Sequence, residues 1–507
     1  MTAVPLPYGA RIATLAASHP DRVAIVDVDV DDGSREVAYT WRELDRATRR
    51  VAAVMRAAHA DLEVAVRPAA RPRGPRVTVV LPNSADHLVA CIAAWRLGAL
   101  VLPVSPRLPA RERIGLLDTF QPSLIVGSTD VAVPTLTEAA LHEAAWAAWE
   151  PPSDIPDPLP WPGKAVGSGG STGRSKVVVD PASWGWSPTD DEADAGVGFR
   201  PGQTQLVAGP LYHNSPFVWS TRGLLLGQRI ILLRRFDARV VVEQIERHQV
   251  QWLFLAPTMM HRIIRLEDIA QRDLGSIEML FHTAGPCAPA LKRAWINLLG
   301  GERIVESYGS SEAIGHTRIT GGEWLQHPGS VGRADGAEVR ILDESGRELP
   351  AREVGEIFMR RNAAGPTYEY IGAPPARSDA DGFTSVGDHG WLDEEGYLYL
   401  ADRRDDLVVS GGVNVYPAEV EGALLEHPRI ADVAVIGLPD DEWGQRVHAI
   451  VEPRANTIEL GRAELHEFLR DRIAAYKRPK SYELVERLPR DESGKIRRRQ
   501  LVEERRA

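Results

Sequence analysis

Cysteine is almost missing: Cys91 and Cys287 are the only two in 507 residues. Two thiols cannot build a disulfide framework or, by themselves, a zinc site. Both stand among apolar or small residues, as buried thiols in a reducing cytoplasm do. No apolar run approaches the roughly eighteen residues that a membrane-crossing helix needs, because Arg or Gly interrupts the longest stretches. The first eleven residues show no basic segment followed by an apolar core, so no secretory leader is expected. Positive charge is not in excess either. The net charge of −11 argues against wholesale nucleic-acid binding, and the basic run Arg497-Arg498-Arg499 is short and local. What these absences leave is a cytoplasmic globular protein, expected to bind neither membrane nor nucleic acid. Nothing in the sequence specifies an oligomer.

What is present is length and rhythm. A chain of 507 residues exceeds the size at which one hydrophobic core keeps growing, so at least two domains are expected. Residues 76–81 read as a buried strand, 86–97 as a helix and 100–103 as the next strand. The pattern returns at 229–233, 240–248 and 252–256. Strand–helix–strand alternation implies parallel sheets with crossover helices, an α/β class. Residues 63–75, rich in Arg, Pro and Ala, read as a surface loop. The six prolines between 151 and 162 mark an extended segment. Near 401–406 the rhythm changes. Beyond it, a helix over 417–426, strands over 431–436 and 448–452, and a helix over 462–475 make a small α+β domain.

The most informative segment is Gly167-Ser168-Gly169-Gly170-Ser171-Thr172-Gly173-Arg174-Ser175-Lys176. Its glycines let backbone N–H groups converge on one anion, its hydroxyls add donors, and Lys176 adds a charge. No Walker A register fits, and the Val177-Val178-Val179 run that follows reads as a strand, not as a helix N-terminus. Composition alone is equally compatible with a flexible linker. The strand and the terminal Lys favour phosphate.

This loop resembles the phosphate loop of the adenylate-forming superfamily, which includes acyl-CoA synthetases, aryl-CoA ligases, luciferases and peptide-synthetase adenylation domains. Ser175 and Val177 stand where that family usually has Pro and Gly; Thr172 and Lys176 are retained. Further motifs follow in the family's order. Ser307-Tyr308-Gly309-Ser310-Ser311-Glu312 resembles the segment whose aromatic ring stacks on adenine and whose carboxylate helps hold Mg²⁺ on the phosphates. Thr283-Ala284-Gly285-Pro286 resembles the turn that approaches adenine and the acyl pocket. Asp388, in Gly387-Asp388-His389-Gly390, matches the acceptor for the ribose hydroxyls. In Asp402-Arg403-Arg404-Asp405, Arg403 matches the residue that reaches the ribose or α-phosphate and Asp405 the pivot of a hinge. Ser410-Gly411-Gly412 resembles a hairpin that moves in for acyl transfer. Lys495, in Gly494-Lys495-Ile496, matches the catalytic lysine between the attacking carboxylate and the α-phosphate. His213, in Pro210-Leu211-Tyr212-His213-Asn214, matches an aromatic gate at the carboxylate end of the acyl pocket.

The resemblance implies a large N-terminal adenylation domain over 1–402, a hinge at 403–406 and a small mobile C-terminal domain over 407–507. It implies ATP and Mg²⁺, a carboxylic acid as substrate, and an acyl-adenylate with pyrophosphate as first products. ATP contacts are expected from Ser168, Gly169, Gly170, Ser171, Thr172, Gly173, Lys176, Gly285, Pro286, Ser307, Tyr308, Gly309, Ser311, Asp388 and Arg403. Glu312 is expected at the metal, and Phe217, Trp219, Ala284 and Gly285 around an aromatic or bulky acyl group. CoA is the implied acceptor. Within the superfamily the chain resembles a subgroup that includes bile-acid-type CoA ligases and is similar to stand-alone amide-forming ligases of bacterial natural-product pathways, in which an amine takes the acyl group directly.

Overall fold

A computed structural model describes the chain except residues 1–4, 33–34, 59–73, 170–174, 190–194, 363–366, 402–407, 411–412, 441, 455–459, 492–493, 495 and 506–507. The expected loop at 63–75 up to residue 73, the hinge residues Arg403 and Asp405, and Lys495 therefore lie outside the described residues.

Two large sheets, beside a short two-stranded pairing of Leu6–Pro7 with Gly185–Trp186, build the large N-terminal part. In one, the neighbouring strands Arg229–Leu233, Thr204–Val207, Trp252–Leu255, Met279–His282 and Ile304–Gly309 run parallel. The other carries Arg76–Val80, Leu100–Pro103 and Leu124–Gly127 in parallel, then the antiparallel hairpin Lys164–Gly169 and Ser175–Asp180. Parallel strands are covered on both faces, which is why Leu-Val-Leu-Pro, Ile-Ile-Leu-Leu and Trp-Leu-Phe-Leu contain no alternating polar residues.

The helix Ala85–Arg96 is sealed in the core. All of its residues but Asp86 are buried, and it is apolar almost all round, as a fully covered helix must be. Ser84 caps it by accepting from the His87 amide. Trp95 is its anchor: its ring lies 4.6 Å from Tyr8 and 5.9 Å from Phe217, and its indole N–H donates to the Gly163 carbonyl at 2.7 Å. Arg96 at the helix end is buried as well, neutralised by Asp45 at 2.5 Å and Asp157 at 3.3 Å.

The C-terminal part has its own core around Val420, Leu424, Val433, Val435, Val447 and Leu465. Its antiparallel ribbon, Ile430–Asp440 with Gly444–Pro453, is longer than the two short strands expected there. The helix expected over 462–475 stops early, at Arg462–Phe468. The chain has to turn there to lay Ser481–Leu484 in parallel beside Gly444–Pro453, and Pro479 keeps Arg478 extended. The two parts meet at Arg265, whose guanidinium donates to the carbonyls of Ile430, Ala431 and Leu425 at 2.8, 3.1 and 3.3 Å. No helix among the described residues is long and apolar enough to cross a membrane.

Candidate active site

A cleft of about 3900 Å³ opens at the carboxyl ends of the parallel strands and continues between the two parts of the chain. Sheets of this kind place ligands at that edge, because the strand-to-helix connections there are free to vary. The volume exceeds the roughly 300–1,000 Å³ of a single-ligand pocket, in keeping with a site that must hold several groups.

The strand Lys164–Gly169 pairs with Ser175–Asp180 in the register Ser168↔Lys176 and Gly169↔Ser175. The glycine-rich segment is thus the connection of a hairpin; Gly170, Ser171, Thr172 and Gly173 themselves lie outside the described residues. Lys176 projects into the cleft, where its Nζ sits 3.2 Å from Glu312 Oε1 and 3.0 Å from the Tyr370 hydroxyl. Tyr370 in turn donates to Glu312 Oε1 at 2.6 Å. Burial disfavours the Glu312 carboxylate, but the hydrogen bond from Tyr370 and the Lys176 charge outweigh it and hold the carboxyl below its ordinary pKa. Glu312 is therefore an ionised acceptor facing a lysine.

Among the described residues no group of three or more His, Cys, Asp or Glu side chains is placed to hold a metal. Magnesium does not require one, since it takes one or two carboxylates and completes its shell with phosphate oxygens and water. An ionised Glu312 at the cleft fits that donor set.

Tyr308 and Asp388 line the same cleft, and the Tyr308 hydroxyl donates to Asp388 Oδ2 at 2.7 Å. Ser307, Gly309 and Ser311 flank Tyr308 along the wall. The turn of residues 283–286, which follows the neighbouring parallel strand, lines the cleft as well. Ala284 holds φ at 76°, a left-handed conformation that costs a residue with a Cβ about 1–2 kcal/mol. Nothing lies within 4 Å of where a Cβ on Gly285 would stand, so the turn presents bare backbone to the cleft.

Another part of the wall is built from the helix Asn214–Leu225, which follows His213 directly. Ser215, Val218, Trp219 and Arg222, spaced for one helical face, line the cleft. The opposite face, Phe217, Ser220, Thr221 and Leu224, is buried. Phe217 is thus corrected from pocket to core: it is fully buried and packs on Trp95, because two residues along a helix turn a side chain to the far side. Trp219 stays in the wall, 5.2 Å from Phe281 and 5.1 Å from Trp252, with Phe254 and Phe281 also lining the cleft. His213 lines it too, its ring 5.0 Å from Tyr212. Lys164 donates to Asn214 at 2.9 Å and so ties the hairpin to the start of this helix.

In the C-terminal part Gly494 reaches the cleft at φ 82°, packed so closely on Thr258 that a Cβ there would overlap the threonine side chain. Arg490 braces it, donating to the Gly494 carbonyl at 2.8 Å and to both Asp432 oxygens at 2.5 and 2.8 Å. Ser410 ends the strand Val408–Ser410; Gly411 and Gly412 lie outside the described residues.

Tyr370, Glu306, Asp432 and Arg490 were missed as site residues. Tyr370 carries no local signal, since its partners lie 58 and 194 positions away.

Two sheets crossed by helices, a small C-terminal unit and a cleft carrying a Lys–Glu pair beside Tyr308 and Asp388 define a two-domain adenylate-forming enzyme. Residues 12–369 match the AMP-binding enzyme family, and residues 419–495 match the AMP-binding enzyme C-terminal domain. A feruloyl-CoA synthase from Amycolatopsis sp is 32% identical over 473 residues, covering 90% of this chain and 92% of that protein. The o-succinylbenzoate CoA synthetase MenE from Bacillus subtilis, in complex with its acyl-adenylate intermediate, superposes with a TM-score of 0.78 at 26% identity, covering 98% of each chain. The amide bond synthetase McbA from Marinactinospora thermotolerans shares the fold, with a TM-score of 0.76 at 23% identity over 98% of this chain and 99% of its own. The chain belongs to the AMP-binding enzyme family.

Proposed function

We infer that this enzyme activates a carboxylic acid with Mg²⁺ and ATP and then passes the acyl group to CoA. The observation that carries this reading is the convergence of Lys176, Glu312, Tyr308, Asp388 and the 283–286 turn on one cleft that also contains an aromatic wall. An acid oxygen attacks the α-phosphorus, the α–β phosphoanhydride bond breaks, and pyrophosphate leaves with the electron pair. Two anions must meet, so the site has to supply positive charge at the point of contact. Lys176 serves the departing phosphates and Lys495 the approach of the carboxylate. Glu312 holds Mg²⁺, which spreads the charge of the phosphate oxygens when bound. Tyr308 provides a face for adenine; Asp388 and Arg403 hold the ribose side. In the second step the CoA sulfur attacks the acyl carbon and AMP leaves, with the chain turning about Asp405 to bring in the Ser410 hairpin.

The acid is aromatic or similarly bulky. Trp219, Phe254 and Phe281 supply flat apolar surface, and His213 stands before the helix as the gate at the carboxylate end. CoA as acceptor is favoured by relatives named as CoA ligases that match most of this chain, among them a 2-succinylbenzoate–CoA ligase of Bacillus licheniformis at 30% identity over 447 residues, 84% of this chain and 89% of that protein. The departures Ser175 and Val177 favour a second reading, direct transfer to an amine. A cytoplasmic location suits the two free thiols.

The test is mass spectrometry of products from ATP, Mg²⁺ and a panel of aryl and alkanoic acids, each divided between CoA and a primary amine. Thioester as the dominant product supports CoA ligation. Amide with CoA ignored reassigns the second step, and no acid-dependent pyrophosphate from any acid overturns the whole reading. Lys495→Ala is expected to abolish adenylation and to spare transfer from a supplied acyl-adenylate.

A further inference from the structure

Directly behind the cleft wall, Lys292 is sealed in protein, with no exposed surface. It lies on the helix Pro289–Leu299, and its ammonium stands 2.8 Å from His282 Nε2 and 2.7 Å from Glu306 Oε2. A lysine is almost never fully buried unless paired. Here both partners have consequential positions. His282 and Glu306 are register partners on adjacent parallel strands. His282 is followed at once by the 283–286 turn, and Glu306 by Ser307 and Tyr308. Of the three, only Glu306 lines the cleft.

The bond from Lys292 to His282 closes a loop of chain that contains Ala284 in its left-handed conformation. A strained residue persists only where its surroundings over-determine it, and this staple does so from behind. Burial first, and then the Lys292 charge, hold the His282 pKa well below its ordinary value. The imidazole is neutral and accepts at Nε2, so its proton sits on Nδ1, which has no partner among the described residues. An ion pair that served only to join helix to sheet could take its acceptors anywhere along the strands. This one takes them from the residues that lead into the two nucleotide-facing segments.

We propose that Lys292 is a positioning residue for nucleotide binding, acting through His282 and Glu306 to fix the turn at Ala284 and the strand end that presents Tyr308. The proposal rests on the reading of the cleft as an ATP site. It is tested on the full chain by calorimetric binding of AMP and GMP to wild type, Lys292→Met and His282→Leu, with thermal unfolding run alongside. Lys292→Met is expected to raise the AMP Kd at least about tenfold, the size of a lost hydrogen bond to a charged group, and to erase the preference for AMP over GMP. A folded Lys292→Met that binds AMP within about twofold of wild type overturns the proposal. If Lys292→Met does not fold, His282→Leu decides, because it keeps the Lys292–Glu306 pair and deletes only the staple to the turn. The same loss of base preference is expected, and unchanged AMP affinity overturns the proposal. A wild-type chain that binds no AMP overturns the nucleotide reading itself, and this proposal with it.

Discussion

The Tyr370 hydroxyl and the Glu312 carboxylate stand 2.6 Å apart, with Lys176 within reach of both. A single phenolic proton is thus committed to the carboxylate while the phenolic oxygen accepts from the lysine. On the proposed function Lys176 serves phosphate and Glu312 the metal, and Tyr370 is placed to keep Glu312 oriented for that role. Tyr370→Phe, which keeps the ring and removes the donor, is expected to lower kcat/KM for Mg·ATP roughly tenfold in acid-dependent ATP–pyrophosphate exchange. Unaltered exchange would show that Tyr370 only fills space.

The same contact sets a pH dependence. Against the opposing effect of burial, the hydrogen bond from Tyr370 and the charge of Lys176 lower the Glu312 pKa. The ionised form is therefore favoured by the fold above the ordinary glutamate value of about 4.3, and that preference is lost only as pH falls through the lower folded value. Binding of Mg·ATP, followed by calorimetry, is expected to be flat with respect to Glu312 from neutral pH down to about pH 5. Tyr370→Phe is expected to move the acid limb to higher pH. A limb that stays put would assign it to another group.

Phe217 and Trp219 separate stability from selectivity. Phe217→Ala empties part of a packed core and is expected to cost about 3–5 kcal/mol of unfolding free energy. Trp219→Ala opens the cleft wall instead. Its expected effect is a change of roughly tenfold or more in the kcat/KM ratio between one-ring and two-ring aryl acids, with the smaller loss of melting temperature. If Phe217→Ala changed selectivity and left stability alone, the two faces of the helix would have been misassigned.

Ala284 is tested by replacing it in both directions. Glycine carries no penalty at a φ of 76°, so Ala284→Gly is expected to raise unfolding free energy by about 1 kcal/mol. Ala284→Val, with a branched Cβ in the same conformation, is expected to lower it. Equal melting temperatures for the two variants would contradict the strain at this turn.

Gly494 immediately precedes Lys495 in the sequence. A Cβ there meets Thr258 as well as an unfavourable φ of 82°. Gly494→Ala is expected to slow adenylation by roughly a hundredfold, the scale of a misplacement near 1 Å. Acyl transfer from a supplied adenylate is expected to continue. Loss of both half-reactions to the same degree would mean that Gly494 serves the fold instead.

The buried parallel strands were readable because their covering on both faces leaves a plain signature, uninterrupted apolar runs such as residues 230–233 and 252–255. The segments around Tyr308, Glu312 and Asp388 could be named from local motifs, and they do meet in one cleft. Phase was harder. Phe217 and Trp219 are two residues apart on a helix, and only packing reveals which face looks inward. Contacts across the chain were not legible. Lys292 reads as an ordinary solvated helix residue until His282 and Glu306 are seen around it, and Tyr370 gains meaning only beside Lys176 and Glu312.

The two-sided helix Asn214–Leu225 also bears on how such an enzyme changes over generations. Ser215, Val218, Trp219 and Arg222 line the cleft, while Phe217, Ser220, Thr221 and Leu224 face the interior of the protein. Selection for a new acid can revise the first four and leave the second four untouched. Diet and architecture are thus written on alternate sides of one element, and a lineage can alter the former at the smaller cost to the latter.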